Sequence, residues 1–259
     1  MPAAIDLGVM LTVEPADALS IVSDAGDLSE SISAVVAELG EVQPCRGVLT
    51  STLPIGAGLS SSAAVHVVLT LALGGLDGLE LALTAQRAEH RALGVPSGIL
   101  DQAASALGRD GHAILLDFGT LAFEHVPLPD ALAIVVVDSG VARRNAETGY
   151  AERKRELEEG VAQRVRHIES ENRRVREVVA ALHAGDLEAL GALFREGHAS
   201  LRDDFEVTTP ELDRLVELAY ENGAVAARMT GGGFGGAIVA LVDADDATRF
   251  ASHLNQCVF

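Results

Sequence analysis

The chain has 259 residues, of which 48% are hydrophobic and only 3% aromatic, and its formal net charge is -19 at pH 7. This length allows one large domain or two small ones, with a core built from Leu, Val, Ile and Ala. The acidic balance argues against a nucleic-acid partner or an acidic membrane surface, because phosphate contacts need Lys and Arg. It leaves open a small anionic ligand held by backbone N–H groups.

Cysteine usage and apolar runs give an expected location. Cys45 and Cys257 form no CxxC pair, which argues against a zinc knuckle or a redox motif, and we expect two free thiols in a reducing cytosol. The chain opens without a basic-then-apolar signal segment. No charge-free apolar run reaches the about 18 residues of a membrane span. The sequence therefore predicts a cytoplasmic protein with no membrane partner, and it leaves the oligomeric state unknown.

Strands and helices mix in the first half of the chain. β-Branched residues between turn residues predict strands at 18–23 and 46–53. A charge-free run predicts a buried helix over 60–73, and an amphipathic helix over 77–94 follows and stops at Gly94. A short helix comes next, "SGILDQAASALG", with Ser97 as its cap. Three strand-like runs, "HAILLDF", "FEHVPL" and "ALAIVVVDS", then predict an antiparallel meander.

The second half is mainly helical. Residues 147–183 are charged and free of proline, with breaks at Gly160 and at 183–186. Two further helices follow, "LEALGALFREGHASL" and "PELDRLVELAYENG". The strands "AVAARM" and "AIVALV" flank "TGGGFGG", and a last helix closes the chain. The change in composition near Asp138 suggests two lobes in an α+β arrangement.

One stretch, "PIGAGLSSSAA", places small residues directly before the apolar helix. A helix N-terminus has unpaired N–H groups and a partial positive charge, and glycines before it let the backbone approach a phosphate. The stretch is not a Walker A loop, because no Gly-Lys-Ser/Thr follows. The glycines and serines alone fit a capped buried helix equally well.

The full spacing of this stretch resembles the phosphate-binding motif of the GHMP kinase superfamily of small-molecule kinases. "RMTGGGFGGAIVAL" looks like the C-terminal glycine-rich motif of that superfamily in its galactokinase form. "AEHRALGVPSGILDQAASALGRDGHAILLDF", "DSGVARRNAETGYAERKRELEE" and "GHASLRDDFEVTTPELDRLVELA" are also similar to galactokinases. The resemblance covers nearly the whole chain, so galactokinases are preferred over the mevalonate and homoserine kinases.

The resemblance implies an α+β, two-lobed GHMP-kinase-like fold with mixed and antiparallel sheets and helices. Residues 1–130 would form an N-terminal domain with the phosphate loop and the catalytic aspartate. Residues 131–259 would form a helical C-terminal domain with the glycine-rich motif. In galactokinases a segment resembling G-R-V-N-L-I-G-E-H-T-D-Y precedes the run that matches "PAAID" here. We therefore expect a chain that lacks this first motif, either truncated at its N-terminus or given a start that is too late.

The resemblance also assigns roles to single residues. Asp101 matches the catalytic aspartate, which accepts the proton of a sugar hydroxyl during attack on the γ-phosphate of ATP. Glu89 and Ser62 match the two ligands of Mg²⁺. Tyr150 matches a tyrosine that contacts the sugar. The residues that would wrap the ATP phosphates are Gly56, Ala57, Gly58, Leu59, Ser60, Ser61 and Ser62.

From residue type alone, Asp101 and Glu89 would be exposed helix charges and Tyr150 a half-buried packing residue. With the resemblance, the sequence predicts a galactokinase-type enzyme that phosphorylates galactose or a related sugar at the anomeric hydroxyl, giving galactose 1-phosphate, with ATP and Mg²⁺. Two alternatives stay open. One is a non-catalytic nucleotide-binding remnant or sugar sensor, and the other is a GHMP kinase for a different small-molecule acceptor.

Overall fold

The structure is a computed structural model that describes residues 1–24, 26–53, 59–94, 97–141 and 146–255. Contacts divide the chain into two compact units. The first unit runs from Met1 to His125, and the second begins at Val126. Elements of both units confirm the predicted α+β class, with helices, one mixed sheet and antiparallel sheets.

The first unit contains a three-stranded mixed sheet of β1 (Val9–Pro15), β2 (Ser20–Ser23) and β3 (Cys45–Ser51). The central strand β3 runs antiparallel to β1 and parallel to β2. The parallel pair needs a crossover, which α1 (Ser29–Leu39) supplies. Side chains along β3 alternate between buried and exposed, so one face of the sheet packs on the helices.

Helices α1, α2 (Ser61–Gly74) and α3 (Gly78–Leu93) share a hydrophobic core with this sheet, and α4 (Leu100–Leu107) packs against α3. The hairpin of β4 (His112–Leu116) and β5 (Phe123–Pro127) follows, and the boundary between the two units falls within β5. Helix α3 packs against both α2 and α4 through small, fully buried residues, Ala82, Ala85 and Ala88. Because these side chains are small, the helix axes can approach closely and a residue at their junction is enclosed on several sides.

A membrane-spanning helix needs both a sufficient length and an apolar composition. Within the described residues, no single helix combines the two properties that a span requires. Only α2 and α3 taken together meet both criteria, and that pair is bent by 116° at its junction.

The second unit is built on an antiparallel sheet of β6 (Leu132–Asp138), β8 (Ala237–Asp243) and β7 (Ala226–Met229), in that order. Its helices are α5 (Ala146–Glu158), α6 (Ala162–Ala184), α7 (Leu187–Ser200), α8 (Pro210–Glu221) and α9 (Ala247–Asn255). Helix α7 continues directly into a π-helix, Leu201–Phe205, and a short 3₁₀-helix, Ala244–Asp246, precedes α9. The core of this unit joins the sheet to α8 and α9.

The predicted meander is wrong beyond its first hairpin. β4 and β5 pair as expected, but β6 pairs with β8 over seven residues, from Leu132 opposite Asp243 to Asp138 opposite Ala237. Strand β8 is almost entirely buried, so it takes the central position and needs a neighbour on each side. The prediction that Ser97 caps the next helix is also wrong. Ile99 occupies the N-cap of α4, and the backbone N–H of Ser97 donates to Nε2 of His90 at 2.8 Å.

Candidate active site

The start of α2 has an unusual backbone. Ser60 occupies the N-cap in the left-handed region, with φ 56° and ψ 38°, a conformation that non-glycine residues rarely adopt. Among the described residues, no side chain caps this helix end, so its first N–H groups stay available. Leu59, Ser60, Ser61 and Ser62 are all partly exposed. Gly56, Ala57 and Gly58, which the sequence assigns to the same loop, lie outside the described residues.

Glu89 lies on the buried face of α3, with only 7% of its surface exposed. In the part of the chain that the structure describes, its carboxylate accepts one hydrogen bond, from Nε2 of Gln102, and forms no ion pair. A buried carboxylate is costly unless a cation or several donors compensate it. Glu89 is therefore a buried carboxylate with no cationic side chain paired to it among the described residues, which fits a ligand for Mg²⁺.

Asp101 lies in the first turn of α4 and is exposed. Its neighbour Gln102 is 1% exposed and donates to Glu89 on α3. Successive residues of a helix point about 100° apart, so Asp101 faces outward where Gln102 faces the neighbouring helix. The structure thus places two predicted site residues, Asp101 and Glu89, on packed helices joined by one hydrogen bond.

A second buried polar residue, His66, lies on α2 and is 1% exposed. Its Nδ1 lies 2.9 Å from the backbone oxygen of Ser62. A carbonyl can only accept, so Nδ1 carries the hydrogen and Nε2 is an acceptor. Among the described residues, Nε2 has no hydrogen-bond partner. The bond links the interior of α2 to the residue predicted to bind the metal.

Sequence reasoning found neither His66 nor Gln102. His66 did leave a signal, because it interrupts an otherwise apolar helix at a position that the helical period places inside. Gln102 left none, since its role depends on the spacing between α3 and α4.

Within the second unit, Tyr150 lies on α5 and is 49% exposed. Its ring meets that of Phe205 edge to face, with 6.4 Å between centroids. Phe205, at the end of the π-helix, stacks in turn on His167 at 4.6 Å. Tyr150 therefore rests on a buried aromatic support and keeps half of its surface free for a ligand.

The glycine-rich segment between β7 and β8 packs beside this aromatic group. The backbone N–H of Phe234 donates to the oxygen of Val207 at 2.7 Å, and Phe234 has a positive φ of 58°. A side chain at Gly149 would meet the ring of Phe234 at 2.6 Å. Close packing at Gly149 therefore sets the segment against α5, one residue from Tyr150.

No group of three or more His, Cys, Asp or Glu side chains in the described ranges could hold a metal ion by itself. Mg²⁺ beside a nucleotide needs only one carboxylate and one hydroxyl from the protein, because phosphate oxygens and water complete its coordination. Glu89 and Ser62 are donors of these two types. Within the first unit, the structure places Glu89 and Asp101 close together through Gln102. Within the second unit, it places Tyr150 beside the glycine-rich segment.

Comparisons with known proteins identify both halves of the chain. A model described as GHMP kinases N terminal domain matches residues 28–109, and one described as GHMP kinases C terminal matches residues 178–258. Galactokinase from Streptomyces coelicolor is 42% identical over 233 residues, covering 76% of this chain and 60% of the relative. The chain thus spans less than two thirds of the length of that curated relative.

Solved structures agree with these family models. A structure of Lactococcus lactis galactokinase complexed with galactose matches with a TM-score of 0.87 and 29% identity, covering 98% of this chain and 82% of that one. L. major mevalonate kinase in complex with R-mevalonate matches with a TM-score of 0.77, over 98% of this chain and 84% of that one. At 22% identity, the second match shows the fold alone. On the two family models and these likenesses, the chain belongs to the GHMP kinase family, and within it resembles the galactokinases.

Proposed function

We propose that this chain transfers the γ-phosphate of ATP to the anomeric hydroxyl of galactose and forms galactose 1-phosphate. The observation that carries the proposal is the pairing of two carboxylates with different environments. Glu89 is buried without a cationic partner among the described residues. Asp101 is exposed and directly precedes Gln102, which donates a hydrogen bond to Glu89. One carboxylate suits a metal ligand and the other suits a group that meets the acceptor.

The nucleotide phosphates would lie at the start of α2, against the backbone N–H groups of Ser61 and Ser62 and the loop 56–60 before them. A helix N-terminus favours anions through its free N–H groups and its partial positive charge. Mg²⁺ held by Glu89 and Ser62 would neutralise charge on the phosphate oxygens. In this assignment, the ligand supplies acceptors to the N–H groups at the uncapped, partly exposed start of α2.

Asp101 would act on the acceptor. Its carboxylate accepts the proton of the anomeric hydroxyl as that oxygen attacks the γ-phosphate, which keeps the nucleophile from carrying a positive charge. Tyr150 would contact the sugar with its exposed surface while Phe205 holds the ring from behind. Asp101 would take part in the chemical step and Tyr150 would position the sugar. Loss of Asp101 should therefore lower kcat, and loss of the Tyr150 contact should raise the KM for galactose.

Galactose is the preferred acceptor because the relative at 42% identity is a galactokinase and the Lactococcus lactis structure holds galactose. We also propose a cytoplasmic location, where ATP is available and thiols stay reduced. Cys45 is a free buried thiol, which agrees with that compartment.

The test is galactose-dependent release of ADP by the purified chain with Mg²⁺-ATP. The product should show phosphorus coupled to the anomeric proton by NMR, which distinguishes phosphorylation at O1 from transfer to another hydroxyl. Asp101→Asn keeps the size of the side chain and removes the base, so we expect a fall in kcat of about 10²-fold or more. A panel with mevalonate and other sugars tests the acceptor.

Glu80→Gln is the matched control, because Glu80 is also an exposed acid in the first turn of a helix of the same unit. It should keep the activity of the parent chain. Equal activity in Asp101→Asn and the parent would contradict the role of Asp101. ATP binding without sugar-dependent ADP release would favour a non-catalytic nucleotide-binding protein.

A further inference from the structure

Gln102 is a buried polar residue in direct contact with the proposed metal ligand, Glu89. It is 1% exposed, and its Nε2 donates to Oε2 of Glu89. Its other amide atom, Oε1, is buried and has no hydrogen-bond partner within the described residues. An apolar side chain of the same size would pack here without leaving an unpaired acceptor. Among the described residues, the interaction with Glu89 is thus the contact that requires an amide at this position.

The orientation of that amide follows from chemistry. An ionised carboxylate only accepts hydrogen bonds, so the nitrogen of Gln102 must face Glu89. This bond occupies one lone pair of Oε2 and leaves Oε1 and the remaining lone pairs of Glu89 available. The carboxylate is therefore held in one orientation without being neutralised.

We propose that Gln102 is a positioning residue that holds the Glu89 carboxylate in the orientation in which it binds Mg²⁺. The inference rests on the proposed function, in which Glu89 is a metal ligand. Partners of a ligand's other atoms fix its orientation, and their loss commonly lowers metal affinity 10- to 100-fold. Because Gln102 follows Asp101 in the same turn of α4, this bond also fixes that turn relative to the metal ligand.

The experiment measures how much a divalent cation strengthens nucleotide binding, using Mn²⁺ as the probe. Calorimetry gives the Kd of ATP with EDTA and the Kd of Mn²⁺-ATP, and their ratio is the metal enhancement. Gln102→Met fills the same volume and removes the donor. We expect its metal enhancement to fall at least 10-fold below that of the parent chain, with the Kd of metal-free ATP unchanged. A merely structural defect would raise both the Kd of metal-free ATP and the Kd of Mn²⁺-ATP.

Gln86→Met is the matched control. Gln86 lies on α3 and donates to the backbone oxygen of Ser97 at 2.9 Å, in an exposed hydrogen bond that does not involve Glu89. Its loss should leave the metal enhancement at the parent value. A double-mutant cycle adds Glu89→Gln, after which Gln102→Met should have no further effect on the enhancement, because the two residues act as one unit.

An unchanged metal enhancement in Gln102→Met overturns the inference, and so does an effect that persists after Glu89→Gln. Absence of any metal enhancement in the parent overturns it too, together with the assignment of Glu89. If the parent binds Mn²⁺-ATP but does not phosphorylate galactose, the proposed function fails while the comparison of variants still decides the role of Gln102.

Discussion

The backbone N–H of Met229 donates to Nδ1 of His198 at 3.3 Å, and this contact fixes the state of the ring. Since Nδ1 accepts, the hydrogen must be on Nε2, which lies 3.0 Å from Oδ1 of Asp213 and donates to it. Protonation of Nδ1 would break the bond to Met229. The neutral form of His198 is thus built into the junction of α7, α8 and β7.

Two buried histidines make the stability of the fold depend on pH. Burial lowers the pKa of His198, aided by Arg228 and Arg202 and opposed by Asp213. Burial also lowers the pKa of His167. Below the ordinary histidine pKa of 6.5, the unfolded chain binds protons that the folded chain does not. The free energy of unfolding should therefore fall as the pH drops below 6.5, by up to about 1.4 kcal/mol per pH unit for each histidine.

Urea unfolding at several values between pH 7.5 and pH 5.5 checks this slope. His198→Asn should reduce the slope of the unfolding free energy against pH by an amount that corresponds to at most one proton. This holds even if the substitution also changes the stability at pH 7.5. His183→Asn is the control, because His183 is exposed at the end of α6 and should leave the slope unchanged. A flat profile for the parent chain would contradict the assignment.

Arg164 joins three parts of the second unit, and its removal should destabilise the fold. Its side chain is 4% exposed and contacts Glu156 of α5 at 2.7 Å and Glu206 at 2.6 Å. It also donates to the backbone oxygen of Asp204 in the π-helix. Removing one partner of a buried ion pair costs about 3–5 kcal/mol, and the partial exposure of both glutamates reduces this. We expect Arg164→Met to lower the free energy of unfolding by about 2–3 kcal/mol.

Arg173→Met on the same helix is the comparison for denaturant unfolding. Arg173 is 65% exposed and pairs with Glu177 one turn away at 3.4 Å. Exposed pairs of this kind contribute about 0.5 kcal/mol. Similar losses for the two variants would show that the Arg164 contacts do not hold α5, α6 and the π-helix together.

Elements with strong local signals could be predicted, and those defined by distant partners could not. α8 begins with Thr209, whose hydroxyl accepts from the N–H of Leu212, and with Pro210 in the first turn, two signals that are visible in sequence. β1 exposes Met10 and Val13 and has β3 as its partner, so its pattern of polar and apolar residues is weak. The partner of β6 is β8, about a hundred residues later, and no local pattern encodes that pairing.

The candidate site divides in the same way. Glu89 and Asp101 were predicted because each belongs to a sequence motif of the GHMP kinases. Their structural connection through Gln102 was not predicted, because it depends on the close approach of α3 and α4 at small residues such as Ala82 and Ala103. The prediction that residues 56–62 bind ATP phosphate stays a prediction, since Gly56, Ala57 and Gly58 lie outside the described residues.

Tyr150 provides a test that separates sugar binding from chemistry. Tyr150→Phe keeps the edge-to-face contact with Phe205 and removes the hydroxyl. If the Tyr150 hydroxyl bonds the sugar as proposed, its loss should raise the KM for galactose about 10-fold, with the KM for ATP and kcat little changed. Tyr150→Ala should raise the KM for galactose further. Initial rates at varied galactose and fixed ATP give these constants, and an equal rise in both KM values would argue against a sugar contact.

The glycine-rich segment permits a test of close packing that separates backbone strain from steric contact. Gly233 has φ +82°, and a Cβ there would lie 2.2 Å from the backbone oxygen of Val207. That same oxygen accepts from the N–H of Phe234, so the segment cannot move away without losing this bond. Gly223 has a similar φ of +94° but no atom within 4 Å of a Cβ. Gly223→Ala should therefore lower the free energy of unfolding only by the cost of a Cβ at positive φ, about 1–2 kcal/mol.

Gly233→Ala carries the same cost and adds a clash that is worth about 1–3 kcal/mol in a packed interior. We expect its free energy of unfolding to lie at least about 1 kcal/mol below that of Gly223→Ala, measured in the same denaturant series. We expect the clash to move Phe234 away from Gly149, so that, if Tyr150 contacts the sugar as proposed, the KM for galactose rises in Gly233→Ala and not in Gly223→Ala. Equal destabilisation of the two variants would mean that the segment can shift away from Val207, and that its packing does not position α5.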